Sequence, residues 1–149
     1  YITQFENSIF FQTYNTNELL IIGSLIEKEG LDYQDKKNIS SVIMNRLNKN
    51  MKLQIDATVL YALTSGSFNL NRKITFNDLK IDNPFNTYKI DGLPPKPICF
   101  VGSKTLNIII EDYKTEYLFY FFNEKLQKHI FTKNFKDHKE KLNEYRKNK

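Results

Sequence analysis

The stretch TNELLIIGSLIEKEG, residues Thr16–Gly30, decides the reading of this chain. Thr16 before Asn17-Glu18 supplies a helix cap and an acidic first turn. On a wheel of 100° per residue, Leu19, Leu20, Ile21, Ile22, Leu25 and Ile26 cover nearly the whole circumference. A helix apolar all round is normally buried. The pattern predicts a central helix that runs to Glu29 and stops at Gly30, a natural residue for the turn after a helix. Glu27 sits on this apolar element one turn beyond Gly23 and Ser24, whose small side chains leave space above its carboxylate. A carboxyl group in an apolar wall has a raised pKa, as a general acid for glycosidic bond cleavage requires. The same spacing also fits a plainer reading, in which Glu27, Lys28 and Glu29 are the fraying, solvated end of the helix.

Outward from this segment, Ile39, Val42, Ile43 and Leu47 recur at helical spacing and predict a second helix from about Asp35 to Leu47. Asp56 can cap a short third helix through Val59, Leu60 and Leu63. Residues 65–80 turn polar, with one helical turn at Thr75–Leu79. Asn83-Pro84 and Gly92-Leu93-Pro94-Pro95-Lys96-Pro97 mark loops stiffened by proline. Ser103 can cap a helix through Leu106 and Ile110. Tyr117–Phe122 and His129–Phe131 read as two strands of a hairpin, and Asp137–Tyr145 as an exposed helix. Helices first and a late aromatic hairpin predict one helix-rich α+β domain over residues 1–149.

A chain of 149 residues and 17.7 kDa can bury a core without staples. With 40% hydrophobic and 26% charged residues, its composition is globular. No run of about 20 apolar residues could span a bilayer. The start at Tyr1 reads as that of a mature or excised piece. The net charge of +5 concentrates at the end: residues 125–149 carry nine basic and three acidic side chains, and the remainder is close to neutral. A solvated helix face explains that excess, and no nucleic-acid-binding motif accompanies it. Cys99 has no partner for a disulfide, and with His129 and His138 it makes a poor zinc set.

Several short motifs carry a resemblance. Gly23-Ser24-Leu25-Ile26-Glu27-Lys28-Glu29 resembles the segment ASIIEKE of the YceG-like (MltG-type) endolytic murein transglycosylases. Val42–Leu47 is similar to their VFxNRL, and Asn50–Val59 to GMxLQxDPTV. Asn83–Tyr88 is similar to SPYNTY, and Gly92-Leu93-Pro94-Pro95 to GLPP. Tyr120-Phe121-Phe122, His129-Ile130-Phe131 and His138 resemble the closing YFV, HxF and H. Order and spacing hold from about Glu18 to His138. Ala57, Asn50, Lys96 and Cys99-Phe100-Val101-Gly102 depart from the family pattern, the last two in the loop beside the expected cleft.

The resemblance implies a lysozyme-like catalytic cleft and a defined chemistry. Glu27 would protonate the oxygen leaving N-acetylmuramic acid and then accept the proton of that sugar's 6-hydroxyl, which closes a 1,6-anhydro ring. No metal or redox cofactor is needed for this. Gln54, Asp56, Asn86, Tyr88, Ser24 and His129 are the expected substrate-binding residues. The expected partners are peptidoglycan glycan strands and cell-wall synthases of the penicillin-binding class, without nucleic acid. The family also implies a single-pass anchor in the bacterial inner membrane, outside this sequence, with this domain on the periplasmic or outer side. A glycan-binding module without activity and a lysozyme-like hydrolase are the competing readings.

Overall fold

The computed structural model describes residues 13–149, and the chain is an α+β domain. The described residues form five α-helices: α1 (Thr16–Glu29), α2 (Tyr33–Asn48), α3 (Asp56–Thr64), α4 (Ser103–Glu111) and α5 (Phe135–Lys147). Strands β1 (Phe119–Asn123) and β2 (Lys128–Thr132) make one antiparallel hairpin, and Asp78–Lys80 a 3-10 turn.

The expected order of elements is borne out, with shifts at the ends that side-chain chemistry explains. Asn15 rather than Thr16 caps α1: its Oδ1 accepts from the Glu18 amide while the Glu18 carboxylate accepts from the Asn15 amide, both at 2.9 Å. Asp32 caps α2 through the Asp35 amide, at 2.8 Å, and so starts that helix at Tyr33. Asp56 and Ser103 are first helical residues and not caps. Gly30 does end α1, but for a different reason than expected. Its φ of −82° is open to any residue. A Cβ there would lie 2.2 Å from Lys36 Cγ and 3.1 Å from Lys36 Cα, so close approach of α2 excludes a side chain.

α1 is the core element. Leu19, Ile22, Leu25 and Ile26 pack with Ile39 and Ile43 of α2, with Leu53, Ile55 and Ile98, and with Ile109 of α4. Fully burying each such side chain contributes about 1.5–3 kcal/mol. The hairpin is fastened to this helical body by polar bonds. Asn45 Nδ2 donates to the carbonyls of Thr115 and Tyr117, both at 2.8 Å. The buried Arg46 donates from Nε to Leu118 O at 2.7 Å and from Nη1 to Lys52 O at 2.8 Å. The Asn45-Arg46 pair therefore fixes where the hairpin lies against α2. In its register Tyr120 faces Phe131 and Phe122 faces His129.

Candidate active site

Two residues apart on a helix means about 200° of rotation, and the structure puts the two glutamates of α1 in opposite surroundings. Glu27 points to the N-terminus of α4. Its Oε1 accepts from the Gly102 amide at 3.0 Å and the Thr105 hydroxyl at 2.5 Å, and Lys36 Nζ lies 3.1 Å from Oε2. Partial burial pushes its pKa up, but these hydrogen bonds and the lysine outweigh burial and hold it below the ordinary glutamate value. The expected raised pKa is therefore corrected. The space over Gly23 is filled as well: a Cβ there would meet Val101 Cγ1 at 2.7 Å. Glu27 acts as an ionised cap on α4, which has no side-chain cap of its own.

Glu29 continues the buried stripe, three residues after Ile26, four after Leu25 and seven after Ile22. It opens into a cavity of about 400 Å³ between the end of α1, the start of α3 and the hairpin. Glu29 is half-buried at the cavity wall, with many protein atoms packed around its carboxyl, and the Tyr120 hydroxyl donates to it. Burial is the main cause that raises its pKa to about 7, with Asp56 and Asp35 adding to the rise. The Tyr120 hydrogen bond and His129 oppose it more weakly.

Four of the expected substrate-binding residues line the same cavity: Gln54, Asp56, Tyr88 and His129. Buried Leu53 and Ile55 flank Gln54, which has φ of +52°, an unusual conformation for a residue with a Cβ. The Tyr88 hydroxyl donates to Asp56 Oδ1, and burial followed by that bond raises the tyrosine pKa far above its usual range. His129 Nδ1 lies 2.8 Å from Asp35 Oδ2.

Ser24 and Asn86 lie outside the cavity. Ser24 is fully buried, and its Oγ donates to Ile21 O and accepts from the Ile98 amide. Asn86 is also fully buried. Its Nδ2 donates to the carbonyls of Leu79 and Ile81, at 3.0 and 2.8 Å, and its Oδ1 accepts from the Tyr88 amide. Both side chains are fully buried and held by backbone groups, so neither is open to a ligand in the cavity, which corrects the expectation for them. Asn86 supports the cavity by holding the loop that carries Tyr88. Cys99 is half-buried, and its thiol lies 3.4 Å from Ser24 O.

Among the described residues, no three His, Cys, Asp or Glu side chains gather at metal-binding geometry. An acid that holds its proton near neutral pH, beside hydroxyl, amide and imidazole groups, is arranged for proton transfer to a polar, hydroxyl-rich ligand.

The YceG-like family model matches residues 3–144. The chain is 36% identical over 145 residues to the endolytic murein transglycosylase of Bacillus subtilis, covering 97% of this chain and 39% of that protein. It is 32% identical over 147 residues to the endolytic murein transglycosylase of Streptococcus pneumoniae D39, covering 97% of this chain and 26% of that one. The chain thus spans well under half the length of these relatives. The crystal structure of a putative yceG-like protein from Listeria monocytogenes superposes with a TM-score of 0.81 at 38% identity, over 93% of this chain and 44% of that one. The family match over nearly the full length, the shared fold and these relatives together make the chain a member of the YceG-like family.

Proposed function

We propose that this chain is the glycan-cleaving domain of an endolytic murein transglycosylase, with Glu29 as its acid and base. The observation that carries the reading is a glutamic acid with its pKa raised to about 7, facing a cavity that also presents Gln54, Asp56, Tyr88 and His129. The names of the family relatives supply the substrate class, peptidoglycan. Glu29 in its neutral form gives its proton to the oxygen leaving C1 of N-acetylmuramic acid, and the C1–O bond breaks. The 6-hydroxyl of the same sugar attacks C1, and its proton passes to the Glu29 carboxylate. The glutamic acid is restored and a 1,6-anhydro end is formed. An internal hydroxyl replaces both water and an enzyme nucleophile, so one carboxyl group suffices where most glycosidases use two.

The role expected for Glu27 passes to Glu29 on this reading. Glu27 is held ionised by three donors and lies away from the cavity. A proton donor must instead reach the substrate and hold its proton near the working pH. Gln54, Asp56, Tyr88 and His129 are the proposed substrate contacts.

No helix of the described residues is long and apolar enough to cross a membrane. By likeness to the family, the chain is one domain of a longer protein that acts outside the cytoplasm, anchored by a separate segment and working beside cell-wall synthases. The deciding experiment is mass spectrometry of sacculus digests with wild type, Glu29→Gln and Glu27→Gln. Anhydro-muropeptides from wild type and Glu27→Gln, but not from Glu29→Gln, are expected. Products one water heavier would identify a hydrolase. Strand binding without any product would identify a binding module.

A further inference from the structure

Asp35 lies outside the cavity, yet it joins two parts of it. One oxygen, Oδ2, accepts from the Leu31 amide at 2.9 Å and sits 2.8 Å from His129 Nδ1. Leu31 is two residues after Glu29, in the turn that ends α1. Asp35 is itself held by its amide, which donates to Asp32 Oδ1 at 2.8 Å. The Asp35 and His129 side chains are only 11% and 7% exposed, so water competes little for this bond. The imidazole is also fixed in orientation, edge-on to Tyr120 at 5.3 Å and 86° and close to Phe122. A carboxylate accepts hydrogen bonds and does not donate them, so the proton of a neutral His129 belongs on Nδ1. Among the described residues no hydrogen bond engages Nε2, and the ring lines the cavity.

We propose that Asp35 is a positioning residue that holds His129 as the Nδ1-protonated tautomer, leaving the Nε2 lone pair to accept a hydrogen bond from a sugar hydroxyl. The sugar in that statement rests on the glycan-cleavage reading; the tautomer does not. The chemistry has use for such an acceptor. While Glu29 carries its proton it cannot also accept one from the attacking hydroxyl. Tyr88 and Tyr120 spend their protons on Asp56 and Glu29. An imidazole nitrogen with a free lone pair can orient the hydroxyl until Glu29 has become a carboxylate. An aspartate that fixes a histidine tautomer in this way serves the same purpose in serine hydrolases.

The direct test is long-range proton–nitrogen NMR of the His129 ring in the folded chain. Its signals are assigned by their loss in His129→Gln and recorded where the ring is neutral. Wild type should show the proton on Nδ1. Asp35→Asn should keep it there, because the asparagine carbonyl can take the place of Oδ2 between the Leu31 and His129 N–H groups. Asp35→Ala should move it to Nε2. A proton on Nε2 in the wild type overturns the proposal, and that result needs no variant to fold. A proton that stays on Nδ1 in folded Asp35→Ala overturns it too. In glycan digestion, Asp35→Ala should lose about tenfold in turnover, the worth of one such hydrogen bond, with Asp35→Asn recovering most of it. Asp35→Ala combined with His129→Ala should be no slower than His129→Ala alone, and additive losses would refute action through the histidine. If no variant or wild type cleaves glycan while the tautomer pattern holds, the glycan reading fails and the Asp35 assignment stands.

Discussion

Replacing Glu29 by glutamine should make the protein more stable above neutral pH and leave it unchanged in acid, while cleavage stops. An ordinary glutamate titrates at 4.5, and Glu29 at about 7 in the folded chain. Between these values the folded protein holds a proton that the unfolded chain has released. Stability therefore falls as pH rises through this window. The full difference corresponds to about 3 kcal/mol, reached above pH 7 and absent below 4.5. Glutamine cannot ionise, and its carbonyl can still accept from Tyr120, so it escapes the penalty without losing the bond. The assay is urea unfolding of both proteins from pH 4 to 8, plotted as the difference between them so that all other titrations cancel. The difference should grow through this window, and the basic limb of wild-type activity should fall near its upper edge. A flat difference with pH refutes the buried-acid argument. The same rise in Glu27→Gln, with none in Glu29→Gln, would show that the two glutamates have been exchanged.

Glu27→Gln should behave in the opposite sense. It should cost about 1 kcal/mol at neutral pH, after screening of a partly exposed group. That cost should vanish as pH falls through the lowered pKa of Glu27, with cleavage retained throughout. Asn86→Ala should lose about 1–3 kcal/mol in thermal or chemical denaturation, because the Leu79 and Ile81 carbonyls lose their donor, and the folded fraction should lose turnover through the freed Tyr88 loop. Gly30→Ala should destabilise by about 1–3 kcal/mol through the clash with Lys36, and NMR should show disturbance of the Lys36–Glu27 pair before any change at Glu29. Tyr88→Phe should lower turnover more than stability, since it releases Asp56 at the cavity rim.

The sequence made the element order legible because each signal was local: the apolar circumference of residues 19–26, the prolines, and the aromatic clusters at Tyr120 and His129. The choice between Glu27 and Glu29 was less legible. When almost every face of a helix is apolar, the wheel does not show which side meets the core and which meets another helix end. The clue available was narrower: Glu29 prolongs the line of Ile22 and Ile26, whereas Glu27 follows Gly23 and Ser24, which are small so that Val101 and Ile98 can approach. Asn86 illustrates a different limit. A buried amide that pins a loop and an exposed amide that grips a sugar share the same local sequence. The link from Asp35 to His129 joins residues 94 positions apart, and no local pattern encodes it.

The helices and the hairpin hold unequal shares of the interior. Nearly all fully buried aliphatic side chains belong to α1, α2, α4 and the loops between them, whereas no residue of β1 or β2 is fully buried and Thr132 comes nearest. The hairpin is nevertheless the wall that supplies Tyr120 and His129 beside Glu29. An excursion in which it lifted away would break the Asn45 and Arg46 bonds to residues 115–118 and the packing of Tyr120 and Phe131, yet would leave the aliphatic interior of the helical body in place. In such an open state water reaches Glu29, its acidity returns toward that of a free side chain, and the proton is lost at neutral pH. The fraction of molecules ready to donate a proton is then a population, set by the closing equilibrium of a small β-unit as much as by the chemistry of one carboxyl group.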